Sequence, residues 1–244
     1  MSRTRRQAAW FCENGADVLV LTEVSAGESG DVLAQLLVDA DFGVVLPEPS
    51  GDDRYRVLVA SRGVDPAVVD VGAGALRHRC VAARIGLPAG EIGVTGLYVP
   101  SRGSAARRNV DKRAFQERVA AVLPTVAAWD VPGPVVIAGD LNVLEPCHKP
   151  RYAVFRDWEY DFYRAFSRTG FEDAFRLVEP DAMDYSWFGR PSGDGGRNRY
   201  RFDHAFVSRS HRSAVVACSY DHSVRTAGLT DHSAMTVTLD LTGV

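Results

Sequence analysis

Several common readings fail at once on what this chain lacks. Cysteine is scarce, with four in 244 residues. Cys12, Cys80, Cys147 and Cys218 are widely scattered and form no C-x-x-C pair. That excludes a disulfide framework and points to reduced thiols in a cytosolic protein. Cys147 and His148 are adjacent but lack partners at ligand spacing, so a zinc site there is not expected. Positive charge is not in excess either, since 28 Lys and Arg stand against 31 Asp and Glu for a net charge of −3. Binding of nucleic acid by bulk electrostatics is therefore excluded, while a local basic surface is not. Long hydrophobic runs are missing as well. The basic start, Met1-Ser-Arg-Thr-Arg-Arg, leads into no apolar segment, and Asp17 and Glu23 interrupt the only early apolar stretch. Neither a signal peptide nor a membrane span is expected.

What is present supports a sizeable core. Hydrophobic residues make up 46% and charged residues 24%, within the range of an ordinary globular domain. No repeat, low-complexity tract or linker divides the chain, so a single domain over 1–244 is expected. Residues 3 to 14 read as a helix closed at Asn14-Gly15. Asp17-Val-Leu-Val-Leu-Thr22 is a continuous apolar run of strand length, suited to a strand buried on both faces. A helix follows over 29–38, with strand-like segments at 43–46, 55–61, 79–86 and 92–99. Residues 107–129 are helical until Pro132-Gly-Pro134 breaks the pattern before a strand at 135–139. Residues 150–169 carry aromatics at Tyr152, Phe155, Trp158, Phe162 and Phe166, which read as the core face of another helix. Gly189 to Arg199 is a polar, glycine-rich loop, expected to be mobile. Strands at 203–208, 214–219 and 234–240 close the chain.

Three places carry chemistry. Glu23 stands where the first buried strand runs out, the position at which α/β folds place ligand sites. Alone it reads as an ordinary helix N-cap, and becomes a hard oxygen ligand for Mg²⁺ only if other carboxylates converge on it. Val136-Ile-Ala-Gly139-Asp140-Leu-Asn142 ends an apolar strand in a carboxylate and an amide at i and i+2. That spacing offers a base and a neutral donor on one face, against the alternative of a simple Asx turn. Asp203-His204 opens one late strand and Asp231-His232 precedes another. Asp203 is placed to orient a histidine, whereas His204 points to the opposite face and reads as structural.

With these residues in place, the chain resembles the endonuclease/exonuclease/phosphatase superfamily, and within it the exonuclease III-like branch. The shared stretches are Asp17-Val-Leu-Val-Leu-Thr-Glu23, Gly96-Leu-Tyr98-Val-Pro100-Ser101, Gly139-Asp140-Leu-Asn142, Tyr185-Ser-Trp187, Arg201-Phe-Asp203-His204 and Thr230-Asp231-His232-Ser233. They occur in the family order along nearly the whole chain. The resemblance implies an α/β four-layer αββα sandwich of two mixed β-sheets flanked by helices. It also implies Mg²⁺ (or Mn²⁺) held by Glu23 and Asp231, with Asp140 positioning the attacking water and Asn142 supporting it. Tyr98 would contact the phosphate, and His232, oriented by Asp203, would stabilise transition-state charge. The implied activity is that of a metal-dependent phosphoric-ester hydrolase, most of all a DNA nuclease working in repair.

One departure stands out. The family opens with a strand bearing an Asn, and this chain reads as starting inside the helix that follows it. Asn14 lies after that helix and cannot substitute. Loss of a central strand would expose backbone donors and acceptors on its neighbours, so a start set downstream of the true one is the expectation. For the substrate, Arg102, Arg107, Arg108, Lys112 and Arg113 form one basic group, and Arg197, Arg199 and Arg201 a second. Charge runs are usually solvated faces, yet both groups flank the proposed site. Arg102, Arg107, Arg108, Trp187 and Arg201 are the expected contacts to DNA. Two alternatives stay open: a phosphodiesterase or phosphatase for a non-DNA ester, since fold does not choose substrate, and a non-catalytic binding relative. A cytoplasmic monomer is expected.

Overall fold

Strands whose apolar residues lie on both faces have to be covered on both faces, and the arrangement follows from that. A computed structural model describes residues 2–102, 106–190 and 197–242, with the side chains of 106–108 outside that description. In chain order the first elements are α1 (Arg3–Glu13), β1 (Val18–Ser25), α2 (Glu28–Val38), β2 (Phe42–Val45), β3 (Tyr55–Arg62), β4 (Ala67–Val68), β5 (Cys80–Leu87) and β6 (Gly90–Leu97). Then come α3 (Ala106–Ala127), β7 (Val135–Asp140), α4 (Asp157–Arg168), β8 (Phe171–Asp173), α5 (Ala174–Val178), β9 (Trp187–Phe188) and β10 (Arg199–Tyr200). The last are β11 (Asp203–Ser208), β12 (Val215–Asp221), α6 (Ser223–Thr226) and β13 (Ala234–Leu239).

The larger sheet has six strands in the order β4-β5-β6-β7-β11-β8. Only β6 and β7 run parallel, joined through the long crossover that carries α3. The opposing layer consists of β1-β3-β2 and the separate hairpin β12-β13. Val57, Val59, Val81, Ile85 and Val94 interlock between the two layers. Met235 and Val237 of the hairpin pack with Ala205 and Ala138 of the larger sheet. Outside, α1 and α2 cover β1 and β3 through Ala8, Leu33, Leu37 and Leu58. On the far side α3 and α4 cover the six-stranded sheet through Phe115, Val119, Leu123 and Phe166. The four expected layers are present, and the larger sheet is the mixed one. Among the described residues no helix is long and apolar enough to cross a membrane.

Most predicted elements lie within two residues of the observed ones, and the departures have local causes. The helix expected over 150–169 starts only at Asp157. There the Arg156 N–H donates to the Glu159 carboxylate, and two acidic residues occupy the first turn. Phe155, Phe162 and Phe166 are core residues, as the aromatic stripe implied. β4, β8, β9 and β10 were not predicted, since two or three residues are too short to display a period of two. β1 is not buried on both faces: Leu19 and Val24 are buried, but Val18, Val20 and Leu21 are only partly so. They border a large cavity on the edge of β1 opposite β3. Of the glycine-rich loop, residues 191–196 lie outside the described residues.

Candidate active site

The site lies where β7 and β11 end together. Their antiparallel register sets Asp203 directly opposite Asp140, so two carboxylates share one pair of cross-strand positions. Gly139 precedes them at φ +143, and a Cβ there would fall 2.1 Å from the Leu97 carbonyl oxygen of β6. Only glycine permits that approach. Asp140 is 2% exposed, with both oxygens held by Asn142. The Asn142 backbone N–H donates to Oδ1 at 2.8 Å and its Nδ2 donates to Oδ2 at 2.8 Å. The Asx turn weighed as an alternative is thus real, and it also aims the carboxylate. Burial, and then the Asp203 charge opposite, push the Asp140 pKa up to about 8.

Glu23 reaches the site through a break in pattern. The register of β1 against β3 shifts between Leu21 and Val24, and Glu23 sits in that bulge at φ +56. Bulges re-aim side chains in this way. Glu23 is not the N-cap of α2, a position that Gly27 fills. Tyr98, buried just beyond β6, donates its hydroxyl to Glu23 Oε1 at 2.6 Å. The Arg79 guanidinium lies 4.6 Å from the Tyr98 ring centre and pairs with Asp53. Burial and the Glu23 carboxylate raise the Tyr98 pKa above its ordinary value, so the hydroxyl stays a donor.

His232 completes the group. Its Nδ1 hydrogen-bonds Asp203 Oδ2 at 2.7 Å, and Asp203 N–H donates to the buried Ser186 Oγ at 3.1 Å. Burial opposes charge on the ring, but the Asp203 carboxylate outweighs it and carries the His232 pKa up to about 10. Burial opposes charge on Asp203 too, and the His232 cation beside it holds that pKa down. At neutral pH Asp203 and His232 form an ion pair. Asp231 is exposed and accepts from Trp187 Nε1 at 3.3 Å. Trp187 in turn stacks on Tyr200.

The donor set fits a hard divalent cation. Glu23, Asp140 and Asp231 are oxygen ligands by chemistry. Among the described residues no three His, Cys, Asp or Glu side chains form a ready-made cage.

Two expected DNA contacts are corrected. Arg201 is fully buried, its guanidinium held by Glu145 and Asp173 at 2.8 Å each. No face is left for a substrate, because the Glu145 and Asp173 carboxylates must be neutralised inside the core. Arg102 turns inward too, pairing with Glu159 at 2.7 Å and with the Val154 carbonyl. The side chains of Arg107 and Arg108 lie outside the described residues. His204 is structural as expected, buried and bonded to the Val143 carbonyl. Lys112 was counted among surface cations, yet it is fully buried and donates to the Asn142 carbonyl at 2.7 Å and to Glu159 at 2.8 Å. The signal was there, for Lys112 stands on the buried stripe with Phe115, Gln116 and Val119 at i+3, i+4 and i+7. Nothing in the sequence paired Arg201 with Glu145 and Asp173, which lie 56 and 28 positions away.

The fold is that of the endonuclease/exonuclease/phosphatase superfamily, and in sequence the chain is similar to its exonuclease III-like members. It is 30% identical over 169 residues to an exodeoxyribonuclease of Bacillus subtilis (strain 168), covering 66% of each chain. To an exodeoxyribonuclease of Streptococcus pneumoniae serotype 4 it is 26% identical over 158 residues, or 61% of this chain and 55% of the other. The alignment thus spans just under two thirds of the first relative and just over half of the second. The fold superposes on an AP endonuclease from Archaeoglobus fulgidus with a TM-score of 0.79 at 22% identity, covering 97% of this chain and 94% of that one. A Neisseria 3′ phosphatase, NExo, bound to a product DNA hairpin matches with a TM-score of 0.77 at 20% identity, covering 98% and 94%. No family model matches the chain.

Proposed function

We propose that this chain is a divalent-metal-dependent phosphodiesterase acting on DNA, an endo- or exonuclease of the exonuclease III type that serves repair. The observation that carries this reading is Asp140, held by both oxygens against Asn142 and set opposite the Asp203–His232 ion pair. Glu23 and Asp231 would hold Mg²⁺, with Mn²⁺ as the other candidate. Bound there, the ion supplies Lewis-acid polarisation of the phosphate. Asp140, with its pKa near neutrality, accepts a proton from the attacking water. Asn142 fixes the direction of that carboxylate. His232, kept charged by Asp203, donates to an oxygen on which charge develops. Tyr98 holds Glu23 in place, and Trp187 lines the substrate side. The names of the curated relatives, both exodeoxyribonucleases, favour DNA as the substrate. The protein is proposed to work as a cytoplasmic, single-domain monomer.

The test is cleavage of a duplex carrying one abasic site, with Mg²⁺ and then with EDTA, beside a simple phosphodiester. Metal-dependent cutting of DNA is expected, with Asp140→Ala slower by roughly 10²- to 10⁴-fold, the range for loss of a positioned base. Cutting of the simple diester alone would move the substrate away from DNA. If neither is cut while Mg²⁺ still binds, the catalytic reading is wrong.

A further inference from the structure

His232 faces Asp203 from a segment with no regular structure of its own. The connection from α6 to β13 is closed over its first half by backbone alone, since the Gly228 and Leu229 N–H groups donate to the Arg225 and Val224 carbonyls. Its second half carries Asp231 and His232 and is held differently. The His232 N–H donates to Thr230 Oγ1 at 3.2 Å, and the Ser233 N–H donates to the Ser186 carbonyl at 2.7 Å. The Ser233 side chain is buried, and its hydroxyl lies 2.7 Å from Nδ1 of His222. Among the described residues that is its one hydrogen bond. His222 follows β12 directly, eleven positions ahead of Ser233. Its Nε2 lies 3.2 Å from Asp184 Oδ1, and its ring meets the Phe188 ring edge-to-face. The three side chains form a chain with a direction. A carboxylate only accepts, so Asp184 keeps the ring proton on Nε2. With the ring neutral, Nδ1 is then an acceptor, and the Ser233 hydroxyl donates to it. A Ser-His-Asp order suggests a nucleophile, yet Ser233 is buried, so the arrangement holds rather than attacks.

We infer that His222, oriented by Asp184, is a positioning residue for His232 and acts through Ser233. The inference rests on His232 serving the phosphate chemistry proposed above. The link is the alternation of extended backbone. His232 makes an antiparallel bridge to Trp187, and Ser233 leads straight into β13. Side chains at two such successive positions leave on opposite sides. Fixing Ser233 toward His222 therefore turns His232 the other way, where its Nδ1 meets Asp203 Oδ2 at 2.7 Å. Ser186 ties the same two partners from below. Its carbonyl takes the Ser233 N–H, and its hydroxyl takes the Asp203 N–H at 3.1 Å. Donor and carboxylate are thus set against one buried residue, and the bond to His222 decides how the loop turns between them. A misplacement of about 1 Å in such a group costs on the order of 10²-fold in rate.

Asparagine and glutamine separate the two ring nitrogens, because their amides reach to where Nδ1 and Nε2 lie, respectively. His222→Asn keeps an acceptor for the Ser233 hydroxyl and gives up Asp184, and His222→Gln does the reverse. On an abasic duplex with Mg²⁺, His222→Gln is expected to lower kcat by about 10- to 100-fold at unchanged KM, the mark of an interaction made in the transition state. His222→Asn is expected to keep most of the native kcat. Ser233→Ala should match His222→Gln, with the double variant no slower than either, because the two changes remove one bond. A ring that only filled space would make both His222 variants equally slow, and that result overturns the inference. So does a native kcat in His222→Gln. Hydrogen exchange at the His232 and Ser233 amides reads the loop without catalysis. Exchange about tenfold faster is expected in His222→Gln and not in His222→Asn. If the native chain cuts neither DNA nor a simple diester, the nuclease reading has failed by itself. Equal exchange in the two variants is then the result that overturns the positioning of the loop.

Discussion

Asn142 and Glu23 are two of the three non-glycine residues at positive φ among those described, and both stand in the candidate site. A backbone held there costs about 1–3 kcal/mol and survives only where its surroundings over-determine it. For Asn142 the restraint is Lys112, whose ammonium grips the Asn142 carbonyl while Glu159 neutralises it. Lys112→Met should therefore leave the buried Asn142 carbonyl without its donor and Glu159 to Arg102, lowering unfolding free energy by roughly 1–3 kcal/mol in urea titration. A change below 1 kcal/mol would show that the pair is not what holds the turn. His232 gives a second prediction. Its folded pKa is raised, so its stabilisation is fully present below the ordinary histidine value and is lost as pH rises through about 10. The stability gap between the native chain and His232→Gln should close between neutrality and that pH.

The segments around β8, α5 and β11 depend on one buried ionic node. Arg201 joins Glu145 to Asp173, Arg176 adds a second bond to Glu145, and Tyr163 donates to Asp173 at 2.6 Å. Burial works against both carboxylates, but these partners hold Glu145 down at about 2 and Asp173 well below the carboxylate range. Depressed carboxylates contribute stability above their unfolded pKa and lose it as pH falls toward the folded one. Stability should thus decline between about pH 4.3 and 2. In Arg201→Met that acid-labile share should already be missing at neutral pH, as read by circular dichroism across an acid series. The apolar strands themselves were legible from pattern. This node was not, because its members come together only when β11 lies between β7 and β8.

For the whole molecule, a net charge of −3 means that attraction to a polyanion has to be local. With Arg102 and Arg201 turned inward, Arg107 and Arg108 are the expected arginine contacts left to test. Neutralising Arg107 and Arg108 should weaken duplex binding and flatten the slope of log K against log salt by roughly 1.8, at about 0.9 per phosphate contact. An unchanged slope in fluorescence-anisotropy titrations would place the DNA on another face.

By itself the sequence determined the elements and the chemistry they carry. Apolar runs of strand length, a stripe on α3 and Gly-Asp-x-Asn at a strand end are local patterns, set by side-chain periodicity and close backbone approach. They were enough for the strands and helices; the αββα layers, and Glu23, Asp140, Asn142, Asp203 and His232 as candidate site residues, were what the family resemblance implied. Only the tertiary structure decided which charges face water. Arg201 and Lys112 look like surface cations in one dimension, and both are buried because carboxylates distant in sequence meet them inside the core. The bulge that turns Glu23 toward Tyr98 is likewise a matter of register between β1 and β3. So is the facing of Asp140 by Asp203 across β7 and β11. Register and ion pairing are relations between segments, and a pattern within one segment cannot contain them.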